Sequence, residues 1–285
     1  MTALAVPSPA ATSRPRSRAT AQPPSSRRLL RSEWIKLRSL RSTWWALALG
    51  VGLVVAMSAS RTASIAQIPE AVGSESLVGA VYVTSGAALA QLVFCTLGVL
   101  AITSEYRTGQ IRSSLMATPG RLPLLAAKLA VTVAAVFVAS VVAVLAAWAV
   151  GARWFEQTGM SIDLSRPDDL RIMVGTPLYL ATVTALAFAI GVLLRSSAAG
   201  VAAVLGLLLV VENAIALIPW APLAAVSPYL PATAGNRLVT SDLVGSVTTT
   251  SGSVALSPWQ GYAVLVTWVV ALLAVAAVLL RRRDA

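Results

Sequence analysis

Apolar residues gather along the chain into long runs that charged residues interrupt at intervals. Six of these runs approach the roughly 20 residues that a helix needs to cross a hydrocarbon core. The expected spans cover about residues 43–60, 77–103, 129–151, 173–194, 197–218 and 259–280. A backbone inside lipid finds no water to bond, so each run is expected to be an α-helix that pairs its own polar groups. The fold class predicted is an all-α integral membrane protein with six transmembrane helices.

Composition sharpens this picture. The 285 residues are 57% hydrophobic and 12% charged, about half the charge of an average soluble domain at roughly 25%. One water-soluble core and extensive disorder are both excluded for most of the chain. Cys95 is the one cysteine and there is no histidine. Disulfide frameworks, multi-cysteine zinc sites and His-based catalytic or metal sites are therefore excluded. The two lysines, Lys36 and Lys128, do not follow glycine, so the chain lacks the Gly-Lys-Ser/Thr of a phosphate-binding loop. No catalytic residue, cofactor site or metal site is expected on this chain.

Charge placement predicts the orientation. Six spans put both termini on one side. Seventeen of the 22 Lys and Arg fall on that side. The other side holds Arg61, Arg153, Arg166, Arg171 and Arg237. Positive residues concentrate in cytoplasmic segments, so both termini of this multi-pass protein are expected in the cytoplasm. The net charge of +11 is then accounted for by topology and by anionic lipid rather than by nucleic acid.

Between the spans the sequence changes character. Residues 1–26 are rich in Pro, Ser, Ala and Arg, lack an apolar core segment, and read as a disordered basic cytoplasmic tail. Residues 27–42 read as a helix lying on the membrane, because Leu29, Leu30, Trp34, Leu37 and Leu40 share one arc. A merely basic flank that fixes topology is the alternative. Glu33 is placed to pair with Lys36 one turn on. Trp44 and Trp45 mark the interface at the start of span one. The connector of about 25 residues between spans two and three exceeds what a bare turn needs. Residues 105–116 are expected to form a short helix leaving the membrane, before the turn at Thr118-Pro119-Gly120. Residues 153–171 read as a solvated outer loop. Residues 218–231 are apolar but broken by prolines, as a re-entrant or surface-lying element would be. A flexible loop is expected at 240–258.

Glu212, beside Asn213, is the one ionisable residue clearly inside an apolar run. A charge at that depth is costly. Two readings stand: a substrate or proton contact, or a carboxylate tying span five to the proline-broken element. Small residues recur at i+4 in span one (Ala48, Gly52, Ala56) and span five (Ala198, Ala202, Gly206), spacing that lets helices approach closely in lipid. Cys95 reads as an apolar filler.

Two segments carry a family likeness. Residues 33–45, opening Glu33-Trp34-Ile35-Lys36-Leu37-Arg38, resemble the N-terminal interfacial elbow helix of type-2 ATP-binding-cassette (ABC) membrane permeases in their small six-span bacterial form. Ser104-Glu105-Tyr106-Arg107-Thr108-Gly109-Gln110 resembles the segment by which such permeases dock their ATPase. The long outer loop between spans five and six adds to the likeness, which covers most of residues 27–283 as one permease domain. The resemblance implies a bacterial cytoplasmic membrane exporter subunit. It implies an elbow helix bearing Glu33, Trp34, Lys36 and Arg38, and a cytoplasmic coupling helix between spans two and three bearing Glu105, Tyr106, Arg107 and Gly109. A separate ABC ATPase subunit would carry ATP and Mg. A second copy or a paralogous permease would complete the unit, with spans one and five often at its interface. A non-transporting membrane scaffold or sensor is the alternative function.

Overall fold

The computed structural model describes residues 25–68, 78–108, 121–218, 220–241 and 256–282. Every regular element among them is helical. In chain order these are α1 (Ser26–Ser39), α2 (Arg41–Ile65), α3 (Gly79–Val83), α4 (Ala87–Thr108), α5 (Arg121–Thr158), α6 (Pro167–Leu194) and α7 (Ser197–Leu205). A π-helical stretch (Gly206–Val211) then leads to α8 (Glu212–Leu217), α9 (Ala221–Val226), a 3-10 turn (Ser227–Tyr229), α10 (Pro231–Asn236) and α11 (Pro258–Arg282). Six helical segments are long and apolar enough to cross a membrane, in the order the apolar runs predict.

Helix α6 is the axis of the bundle. It packs against α4, α5, α7 and α11, and 72% of its apolar window is buried, against 22% for α2, for the Ser197–Ile215 span that α7 opens, and for α11. Phe188, Leu180, Leu186 and Ile172 of α6 and Phe94 of α4 are fully enclosed. The more peripheral helices keep large apolar side chains on their outer faces, such as Leu49, Val210 and Val270. That is the distribution expected where lipid replaces water around the bundle.

Helix ends depart from the apolar runs in several places. The run at 77–103 is not one helix. Its first part is α3, and the chain turns at Thr84–Gly86 before α4 begins. Gly86 sits where α4 enters against α2, and a Cβ there would lie 2.6 Å from the Leu53 carbonyl oxygen. Helix α4 then continues through Glu105 to Thr108 without a break. Residues 105–108 thus extend span two rather than open a separate helix. The rest of the expected 105–116 helix, with Gly109 and the 118–120 turn, lies outside the described residues.

Helix α5 spans 38 residues, about 57 Å at 1.5 Å per residue, far longer than the 129–151 span. It takes in Lys128 at one end and all of 152–158 at the other. Of the expected outer loop at 153–171, only 159–166 is non-helical. Absence of charge marks where lipid lies; good helix formers carry a helix past that boundary. Span five runs through the π-helical stretch. The proline-broken segment becomes α9, the 3-10 turn and α10, each begun by a proline near its N-terminus, where the missing N–H costs nothing. The expected 240–258 loop lies mostly outside the described residues.

Candidate functional site

The predicted polar residues fall into two places, one at each end of the bundle. At the α1 end, four side chains from three helices converge. Helix α1 turns Leu29 inward onto Leu124 and Ala127 of α5, and one turn later the same face carries Glu33. Lys128 of α5 donates to Glu33 Oε2 at 2.5 Å and to Glu105 Oε1 of α4 at 2.8 Å. Lys36 donates to Glu33 Oε1 at 2.8 Å and to Glu105 Oε1 at 3.3 Å. Glu33 is 2% exposed, Glu105 5% and Lys128 7%. Two carboxylates and two ammonium groups make the cluster neutral, which is the condition under which buried charges are tolerated.

Burial alone would push the Glu33 carboxyl up. The hydrogen bonds and charges of Lys128 and Lys36 more than offset it, so Glu33 is held below its ordinary value. Burial likewise works against the charged Lys36, but Glu33 and Glu105 outweigh it and hold the ammonium above its usual range.

This geometry places the residues expected at this end. Along the arc of Leu29, Leu30, Trp34, Leu37 and Leu40, Leu29 is buried against α5, Leu37 is half-buried, and Leu30, Trp34 and Leu40 are exposed. Glu33, which interrupts that arc in the sequence, is the residue the packed face is built around. Glu105 is turned inward onto Lys128 rather than out toward a partner surface. Tyr106 lies under the Arg195 guanidinium, 5.5 Å from its ring centroid. Arg195 ends α6 in the left-handed conformation (φ 54), and Ser197 Oγ donates to Thr103 Oγ1 at 2.8 Å. The turn between α6 and α7 is thereby fastened to the same end of α4. Arg107 lies in the last turn of α4. Trp34 and Arg38 are exposed on α1, and the Trp44 indole N–H donates to the Arg38 carbonyl at 3.0 Å.

Sequence reasoning used Lys128 only as a lysine that does not follow glycine and as one of the basic residues on the side of the termini. The usable signal was its position one residue before a long charge-free run: a cation at such a boundary inside a helix calls for a counter-ion.

At the other end, Glu212 opens α8 and is 4% exposed. Its Oε1 accepts the Ala232 N–H at 2.9 Å. Its Oε2 accepts the Thr233 N–H at 2.6 Å and the Thr233 hydroxyl at 2.7 Å. These are the free donors of the first turn of α10, which a carboxylate satisfies well. Asn213 points elsewhere. It is exposed, and its amide donates back to the carbonyls of Leu209 (2.9 Å) and Leu208 (3.3 Å). Glu212 and Asn213 therefore do not form one site.

The far end of α10 is held by a residue that sequence reasoning did not single out. Arg171 Nη1 donates to the carbonyls of Arg237, Leu238 and Thr240 at 3.1, 2.9 and 3.0 Å, and its Nη2 reaches Asp168 at 3.3 Å. An anion at its N-terminus suits the peptide dipoles of α10, and the Arg171 guanidinium gathers the carbonyls of the turn that follows the helix. Gly261 of α11 lets the Ala234 carbonyl lie directly on its backbone, where any side chain would collide. Cys95 is buried, with its thiol 3.7 Å from the Val183 carbonyl, and behaves as packing. No group of His, Cys, Asp and Glu among the described residues is arranged to hold a metal ion.

Compared by sequence with known protein families and with curated proteins, the chain matches none. Fold and polar sites together define a multi-pass helical membrane protein whose N-terminal helix is pinned by buried charge to the ends of two of its membrane-crossing helices.

Proposed function

We propose that the chain is the permease subunit of an ATP-driven exporter in a bacterial cytoplasmic membrane, with both termini cytoplasmic and ATP hydrolysis on a separate ABC ATPase. The observation that carries this reading is the Glu33–Lys36–Glu105–Lys128 cluster. It makes α1, the end of α4 and the start of α5 one mechanical unit, with Glu105 inside the segment that resembles an ATPase-docking loop. In this reading α1 is the elbow helix. Glu105 acts as an internal anchor for the coupling region instead of as a contact with the ATPase. Rigid-body motion of the docked ATPases would then act on α1, α4 and α5 together.

A second permease copy or a paralogue completes the proposed unit. Ala48, Gly52 and Ala56 of α2 and Ala198 and Ala202 of α7 are exposed. A Cβ placed on Gly52 or Gly206 would meet nothing within 4 Å. Such open small-residue faces suit close helix contact in lipid.

The test is purification of the tagged protein in mild detergent from its native membrane, with mass spectrometry of what co-purifies in stoichiometric amount. A soluble subunit carrying a phosphate-binding loop is the expected result. A well-folded protein that purifies alone, or with a partner lacking such a loop, overturns the reading in favour of a scaffold or sensor.

A further inference from the structure

Helix α1 has a second face. The cluster fixes which side of the helix turns inward, and so fixes what is presented outward. At 100° per residue, Arg27, Arg31 and Arg38 fall within an arc of about 40°, with Leu30 and Trp34 beside them. All five side chains are exposed. Arg28 and Arg41 are exposed as well. Among the described residues none of these five arginines has an acidic partner: the ion pairs of this region use Lys36 and Lys128. The one acid of α1, Glu33, is buried on the opposite face. The Trp44 bond to the Arg38 carbonyl holds the corner between α1 and α2, where Trp44 and Trp45 are 54% and 76% exposed.

We propose that this outward face of α1, with the first turn of α2, binds the headgroups of anionic phospholipids. Arginine suits the task because its planar fork of donors matches phosphate oxygens. Leu30 and Trp34 lie where a helix in the interface plane buries its apolar side among acyl chains. Exposed tryptophans at the head of a membrane-crossing helix belong at headgroup depth, which places the arginine strip level with phosphates. That combination favours a lipid surface over a soluble protein. The proposal rests on α2 crossing the membrane and not on the ATPase partner, so co-purification results leave it untouched.

The test uses the full-length protein in neutral detergent, titrated with phosphatidylglycerol or phosphatidylcholine and followed by native mass spectrometry. Wild-type protein is expected to retain phosphatidylglycerol in preference to phosphatidylcholine, and to lose that preference as salt is raised. Arg27→Gln/Arg31→Gln/Arg38→Gln should weaken phosphatidylglycerol retention by roughly a hundredfold at low salt, from the attraction lost per arginine near an anionic surface. A control removing equal charge from exposed arginines elsewhere, Arg61→Gln/Arg153→Gln/Arg166→Gln, should leave retention unchanged. The proposal is overturned if wild-type protein holds both lipids alike, or if the α1 variant and the control behave alike. It is equally overturned if the α1 variant keeps its lipid and loses a soluble partner instead, which would make the face a protein-docking surface.

Discussion

Lys128 and Glu33, 95 residues apart in the chain, meet at 2.5 Å where α5 passes beneath α1. Both are almost fully enclosed. The pair fastens a helix that contributes little apolar burial of its own, since Leu29 and Glu33 are its buried residues. A buried cation between two carboxylates is hard to remove singly, because its loss leaves negative charge without compensation.

Lys128→Met is therefore expected to destabilise the protein by about 3–5 kcal/mol, the usual cost of stranding a buried charge. Lys128→Met combined with Glu33→Gln and Glu105→Gln should recover most of that loss. Thermal unfolding of the detergent-solubilised variants checks both. Equal melting of wild type and the single variant would mean that water compensates the carboxylates and that the cluster is not closed.

The cluster also sets a pH window for the attachment of α1. Glu33 is held below its ordinary value of 4.5, so its contribution is fully present above that value and is lost as pH falls through the lower, folded one. Lys36 is held above 10.5, so its contribution is complete below that value and is lost as pH rises through the higher, folded one. Attachment should be flat across neutral pH and weaken at both extremes. Limited proteolysis within residues 26–39 across the pH range measures it. A cleavage rate that changes near neutrality would point to a different titrating group.

How much of this was legible in the sequence depends on the range of the forces involved. The six crossings were visible because hydrophobic run length is a local property. Their ends were not, since α5 is carried past its apolar run by ordinary helix propensity and ends where tertiary contacts allow. Glu212 stood out as a lone acid in an apolar run. Its partners did not, because the N–H groups of Ala232 and Thr233 carry no mark in a one-letter code. Lys128 escaped for a related reason: a pairing across 95 residues leaves no periodic trace, and a basic residue before a span already has an explanation in topology.

Glu105 gives a prediction that separates an anchoring role from a docking role. Glu105→Arg would put a third cation beside Lys36 and Lys128, with Glu33 as the only acid left in the cluster. The expected loss is about 3–5 kcal/mol, seen as a reduced yield of monodisperse protein in size-exclusion chromatography before any partner is added. Reversing the pair, Glu105→Lys with Lys128→Glu, should restore part of it. A well-folded Glu105→Arg protein that fails only to bind its partner would return Glu105 to the partner-facing surface.

Helix α10 offers the last test, because its two ends are gripped by residues that do not touch each other. Glu212→Ala leaves the N–H groups of Ala232 and Thr233 without their acceptor. Arg171→Met leaves three carbonyls without their donor. Each is expected to cost about 1.5–3 kcal/mol, the range for hydrogen bonds to charged groups. If α10 were fastened independently at each end, the two costs would add. If it stays seated only while both ends are held, the first substitution already releases it and the second costs little. The close seating of the Ala234 carbonyl on the Gly261 backbone favours the second case: a six-residue helix held that closely near its middle has little room to pivot about one end. The double variant should therefore fall short of additivity by about 1 kcal/mol or more, measured by thermal unfolding. Hydrogen exchange over residues 231–237 should rise to a similar extent in both single variants. Strict additivity, with exchange rising only at the substituted end, would show two separate caps rather than one clasp.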